Sequence, residues 1–317
     1  MRKIFTTYEQ QIDILKSRNL IISDEEDLKN TLKDSGYYNL INGYSYIFQN
    51  NNDEYINNAS DKDIYALYRF DKSLRNIIYK YTLSFESRLK SMISYVFSEK
   101  YGEDQNKYLI RGNFDKDINK EASIAKLISD CFEIIKEASD GTCKKYRHYI
   151  GHYVNKHGHV PLWVLIRAMT LGNVSVFYAN MKLEDKNKIC SEFNLKASEL
   201  EIMLKMLVQF RNVVAHDERI FCYKLRRDGL PGILPIYDVM KIKKSNIGVP
   251  YSGVKDFLSL MIIFKYLLKP IEFAGFWTEF ELERDKLIKD IKSHFIATIN
   301  DEMGLKNRWK NIKNYKI

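Results

Sequence analysis

The chain has 317 residues, 45% of them hydrophobic, with 22 tyrosines and 17 phenylalanines. That composition excludes a disordered or fibrous chain and suits one large or two modest folded domains. Lysine and arginine outnumber aspartate and glutamate by 50 to 41, a net charge of +9, which suits a polyanionic partner without naming one.

Cys131, Cys143, Cys190 and Cys222 are scattered with no CxxC pair. This reads as a reducing, cytoplasmic setting rather than a disulfide framework. The start, MRKIFTTYEQQ, turns polar at once, so no secretory signal is expected. The most apolar run, FLSLMIIFKYLL (257–268), contains Lys265 and falls short of the ~20 apolar residues that cross a bilayer. It is expected to be a buried helix, and no membrane partner is expected.

In chain order, helices are predicted over 8–18 and 24–34, the second stopping at Gly36. The tyrosine-dense YYNLINGY (37–44) reads as a turn, and the Asn/Asp-rich stretch after it as a loop. Ser60 caps the next helix, with Asp63 in the place of the capping-box acid. Apolar residues at helical spacing then run from Ile64 to Phe97, ending near Gly102. Further helices are predicted over 118–138, in PLWVLIRAMTLG up to a stop at Gly172, and over 174–181 and 185–193, with a His-rich connector before Pro161. The helix after these is predicted to start at Ser198, with Glu201 closing a capping box. A Pro/Gly-rich excursion precedes two last helices, 254–268 and 278–300. No alternating strand pattern or internal repeat is present, and the expected fold class is all-α.

FRNVVAHDER (210–219) raises the functional question. On a helical wheel Met203, Leu207, Phe210 and Val214 form an apolar stripe. Asn212, His216 and Arg219 cluster opposite it within ~60°, and Arg211 sits at the edge, ~140° from His216. Either Arg211 wraps around the helix, the helix ends there, or another chain completes the group. The plain alternative is the solvated face of an amphipathic helix. The spacing also recurs at Arg147 and His152, in RHYIGH.

The motif resembles the RNxxxH signature of HEPN-domain ribonucleases. The YEQQIDILKSRNLII, YYNLINGY, IYALYRFDKSLRNII, His152–Tyr153, PLWVLIRAMTLG and RNVVAHDERIF blocks resemble, in order, the Abi-like abortive-infection proteins of the AbiD/AbiF type. Arg167 departs from the family pattern, which commonly has an acidic residue there. The helical patterning gives an N-terminal helical extension (1–59), an irregular connector (226–252) and a C-terminal helical region (253–317). The resemblance, which covers about the first two-thirds of the chain, implies a HEPN-like helical bundle at 60–225.

It further implies a metal-independent endoribonuclease toxin of phage defence, with no cofactor. Arg211, Asn212 and His216 would be catalytic, and Arg219, Arg147, His152 and Tyr153 would contact RNA. HEPN sites use two motif copies, so a homodimer is implied, and for AbiF-type relatives a small structured non-coding RNA as a controlling partner. Histidine is the side chain suited to moving protons near neutral pH, and arginine offers a planar fork of donors for phosphate oxygens. Three other readings stand beside this one. The first is a zinc site from Cys143, His148, His152, His157 and His159. The second is a HEPN-type module that binds RNA or protein without cutting, using tyrosines such as Tyr37, Tyr38, Tyr44 and Tyr46. The weakest is a metal-dependent nuclease, for which no paired carboxylates stand out.

Overall fold

A computed structural model describes residues 4–140, 147–306 and 308–316. The chain is all-α, and among the described residues there are only isolated β-bridges and no strand. Helices α1 (Tyr8–Ser17) and α2 (Glu25–Ser35) pack on each other. Thr7 and Gln10 form a capping box on α1, and the Asp24 carboxylate takes the amides of Glu26 and Asp27 on α2. YYNLINGY is more than a turn: residues Tyr38–Asn42 make one wide π-helical turn and Ser45–Phe48 a tight 3-10 turn. The loop that follows reverses at Asp53, Asn57 and Asn58, all left-handed, a conformation that Asn and Asp adopt more readily than other side chains.

Everything else is arranged around α3 (Asp61–Tyr101), which at 1.5 Å per residue is about 60 Å long. Its start is the acidic capping box foreseen above: Asp63 N–H donates to Ser60 Oγ, and the Asp63 carboxylate accepts from the Ser60 amide at 2.9 Å. Gly102 ends it with φ 80°. The core stripe Ile64, Leu67, Leu74, Ile78, Phe85, Leu89, Ile93 and Phe97 is buried, but so are Asp71 and Arg75 within it.

Next come the short α4 (Gln105–Tyr108) and α5 (Glu121–Ser139), which starts after a 3-10 turn where helix was expected from 118. Part of the His-rich connector is itself a helix, α6 (His148–His157), ended by left-handed Gly158. The PLWVLIRAMTLG block is not one helix stopped by Gly172. Residues Leu162–Leu165 form α7, Met169 is extended, and Thr170 caps α8 (Leu171–Asn180), so Gly172 lies in the first turn of α8. Helix α9 (Leu183–Cys190) leads through a 3-10 turn and left-handed Asn194 to α10 (Ala197–Ala215), which carries the FRNVVAHDER motif. Its capping box uses Glu199 on the Lys196 amide (2.8 Å), two residues before the expected Ser198 and Glu201. Glu201 instead pairs with Lys186 and Lys205.

The Pro/Gly-rich excursion holds one short helix, α11 (Ile236–Val239), and is pinned by Tyr237 Oη donating to Gly253 O at 2.7 Å. Helix α12 (Phe257–Leu267), capped by Asp256, is buried except at Lys265. The expected helix at 278–300 is two helices, α13 (Pro270–Asp290) and α14 (Ser293–Glu302). The break is tertiary in origin: Lys292 donates its amide (2.9 Å) and its ammonium (2.6 Å) to Asp63, docking on the capping box of α3. Helix α13 runs along α3, with Tyr81 edge-on to Phe276 and Phe70 beside Phe280. Gly275 permits this approach, since a Cβ there would lie 2.6 Å from Tyr81 Oη. One continuous core runs from Ile12 to Ile312, so the four sequence segments share it. Among the described residues no helix is long and apolar enough to cross a membrane.

Candidate functional site

Helix α10 ends inside the motif. His216 is its C-cap, and the next residue, Asp217, is left-handed at φ 56°. Glu218 N–H donates to Val213 O (3.0 Å) and Asp217 N–H to Val214 O (3.3 Å). That is the paired bonding of a Schellman ending, with aspartate where glycine is usual. The wheel placed Arg219 one turn beyond His216 on the same face. The left-handed residue overturns that, and Arg219 swings away to donate to Gly43 O at 2.5 Å.

The outgoing strand of chain is fixed by α3. The Asp71 carboxylate, fully buried, accepts the amides of Ile220 (3.1 Å) and Phe221 (2.8 Å) and the Tyr44 hydroxyl (2.8 Å). Arg75, one turn along, binds Asp71 at 2.6 Å and reaches out to Asp217 at 2.9 Å. Tyr44 stacks on Phe221 with ring centroids 5.7 Å apart. Burial pushes the Asp71 carboxyl up, against the pull of Arg75, Tyr44 and the two amides. Burial also pushes the Tyr44 hydroxyl up, with the Asp71 charge adding to it. For Arg75, burial acts against the charge, but Asp71 and Tyr44 outweigh it and hold the guanidinium above its ordinary value.

Above this network lies an open cavity of about 320 Å³, bounded by His216, Asp217, Glu218 and Arg219 on one side. The YYNLINGY block (Tyr38, Asn39, Asn42) forms the other, and Arg75 and Tyr68 complete the lining. His216 is exposed, so its ring is open to a ligand.

Arg211 and Asn212 are not in this lining. Arg211 donates to Asn212 Oδ1 at 3.3 Å, and its buried Nε has no hydrogen-bond partner. Arg147, His152 and Tyr153 belong to α6 and its cap, which pack on α5 and α7 away from the cavity. Arg147 donates to Ala168 O at 3.3 Å and its side chain is only 13% exposed, while His152 is exposed and edge-on to half-buried Tyr153. Arg167 lies over the Tyr149 ring rather than near His216. Of the tyrosines considered for stacking, Tyr38 is 76% exposed at the cavity, whereas Tyr44 is buried. Cys143 of the zinc reading lies outside the described residues; among those described, no three His, Cys, Asp or Glu side chains gather as a metal-holding group.

A family model described as "Abi-like protein" matches residues 30–222, well over half of the chain. The chain belongs to the Abi-like protein family. The matched span contains α3, α10 and every residue of the His216 cavity. No curated protein and no solved structure matches the chain.

The sequence reading assigned no role to Asp71 or Arg75 and considered Tyr44 only for stacking, although all three sit in the Abi-like blocks. The signal was present: Asp71 and Arg75 occupy positions on an apolar stripe that begins Ile64, Leu67 and resumes at Leu74, Ile78. A carboxylate and a guanidinium four residues apart on a core-facing stripe must satisfy each other or something buried.

Proposed function

We propose that this Abi-like chain is a metal-independent HEPN endoribonuclease, acting as a toxin in abortive infection. The observation that carries the reading is the exposed imidazole of His216, held by a helix ending on the rim of an open cavity that also contains Arg75 and Arg219. The reaction is attack of a ribose 2′-OH on the adjacent phosphorus. His216 takes the 2′ proton or returns one to the departing 5′-oxygen, and a guanidinium stabilises the extra charge on the non-bridging oxygens. The products are a 2′,3′-cyclic phosphate and a 5′-OH end. Arg211 and Asn212, one turn back on α10, take part when a second copy apposes its own α10, which makes the active form a homodimer. Family membership supports the role in phage defence, and the basic charge fits a bound non-coding RNA that restrains cleavage.

The test is incubation of the protein with total RNA in EDTA, followed by end analysis. Cyclic phosphate ends from the wild type and none from His216→Ala support the reading; equal cleavage by both refutes it. A second reading, a module that binds RNA or protein without cutting, is favoured by one observation. Arg75 and Arg219 are already engaged, by Asp71 and Asp217 and by Gly43 O. Retention of RNA with no new ends selects it.

A further inference from the structure

A second, larger cavity of about 870 Å³ lies elsewhere and shares no lining residue with the His216 site. It is an open cavity bordered by the middle of α3, the 3-10 turn after α9, the junction of α12 with α13, and the C-terminal 3-10 turn Trp309–Asn314 with the residues after it. Its size is that of a small-molecule pocket, typically ~300–1,000 Å³.

Its charge is one-sided. Arg88, Lys265, Lys269, Lys313 and Lys316 line it, against the single carboxylate of Glu192. Across the described residues lysines and arginines commonly pair with carboxylates, but none of these five has one within ion-pair distance (4.0 Å). Two of them are also half-buried. Arg88 donates one terminal nitrogen to Leu267 O, lies over the Phe193 ring at 4.9 Å, and has a buried Nε with no partner. Lys265 donates to Lys313 O at 3.1 Å and sits 4.5 Å above the Phe273 ring. Burial lowers the pKa of both. Arg88 feels the charges of Glu272 and Glu192, neither within ion-pair distance, while no carboxylate offsets the burial of Lys265; an anion entering the cavity lowers the cost of burying both cations.

Aromatic side chains also line it. The half-buried Tyr315 ring lies 5.9 Å from the buried Tyr266 and tilted against it, their hydroxyls joined at 3.3 Å, with Phe273 also in the lining. Five cations exceed what one carboxylate needs, and flat rings next to them suit a base.

We propose that this cavity binds a nucleotide-class ligand, its phosphates on Arg88, Lys265, Lys313 and Lys316 and its base against Tyr315. The site stands apart from the ribonuclease reading and does not depend on it. The shared chemistry is a phosphate ester carrying an aromatic base, supplied either by a free nucleotide or by one unit of a single RNA strand.

Calorimetric titration of the full chain with ATP, with hexauridylate and with pyrophosphate tests it. Saturation by ATP or hexauridylate below about 1 mM is expected, weakened at least ~10-fold in Lys313→Gln/Lys316→Gln and in Tyr315→Ala. Both lysines are exposed, so the double variant keeps its fold, which circular dichroism checks. Tighter ATP identifies a free nucleotide and tighter hexauridylate a strand; either supports the site. Three results overturn it: no saturation by either probe, affinity unchanged in both variants, or pyrophosphate binding as tightly as ATP.

Discussion

The Asp71 carboxylate and the Arg75 guanidinium meet at 2.6 Å on successive turns of α3, and together they hold both ends of the turn that follows His216. Arg75 takes Asp217 where the chain leaves α10, and Asp71 takes the amides of Ile220 and Phe221 where it re-enters the core. Removing one partner strands a buried charge. Asp71→Ala is expected to lower unfolding free energy by about 3–5 kcal/mol, measured by urea denaturation. Asp71→Leu/Arg75→Met is expected to recover part of that loss, because no buried charge is then stranded, although the two amides and the Tyr44 hydroxyl lose their acceptor.

His216 is exposed and its ring supports nothing in the core. His216→Ala is expected to leave stability within about 0.5 kcal/mol of wild type, by thermal unfolding. On the proposed chemistry the same change lowers RNA cleavage by about 10²–10⁴-fold, read from cyclic phosphate ends.

Asp217 is left-handed where helix endings favour glycine, and its side chain is 80% exposed. Asp217→Gly relieves a backbone cost of roughly 1 kcal/mol and loses an ion pair screened on its Asp217 side, worth about 0–1 kcal/mol. Stability is expected to stay level or rise slightly. Cleavage is expected to fall, because the link that orients the His216 turn toward Arg75 is gone. A calorimetric midpoint alongside the RNA assay checks both.

Burial alone would raise the Asp63 carboxyl, but the bonds from Lys292 and Ser60 outweigh it and hold it below the usual range. A depressed folded pKa contributes stability above the unfolded value, about 4, and that contribution disappears as pH falls through the folded value. The thermal midpoint is therefore expected to drop as pH is lowered from about 5 to about 3, and less steeply in Lys292→Met.

Gly275 lies within α13, where glycine to alanine would ordinarily add about 1 kcal/mol of helix stability. Here the new methyl meets Tyr81 Oη, itself fixed to Glu279 at 2.8 Å. Overpacking of that kind costs about 1–3 kcal/mol, so Gly275→Ala is expected to destabilise, measured by its urea midpoint.

The sequence disclosed what is local. Helix α3 was legible because its capping box, apolar spacing and Gly102 all lie in one stretch of chain. Among the features that were not, three show why: each depends on contacts remote in sequence or on a choice between near-equal local options. The α13–α14 break is set by Asp63, more than two hundred residues earlier. The start of α10 had two acids to choose from, Glu199 and Glu201, and Lys186 claims the second. The end of α10 came at a left-handed aspartate, for which AHDER carries no glycine signal, so Arg219 was placed on the wrong face. At the site, His216 and Arg219 do share a cavity, while Arg147, His152 and Tyr153 sit on another helix.

The alignment of α13 along α3 bears on how the protein is made. A ribosome that has released the chain only as far as Phe221 has delivered the whole His216 turn, but not the helix that covers Phe70 and Tyr81. Cut free after residue 222, the chain would present that apolar flank to water. Assembly of the motif's scaffold waits for α13 to emerge, well after the motif itself has been made.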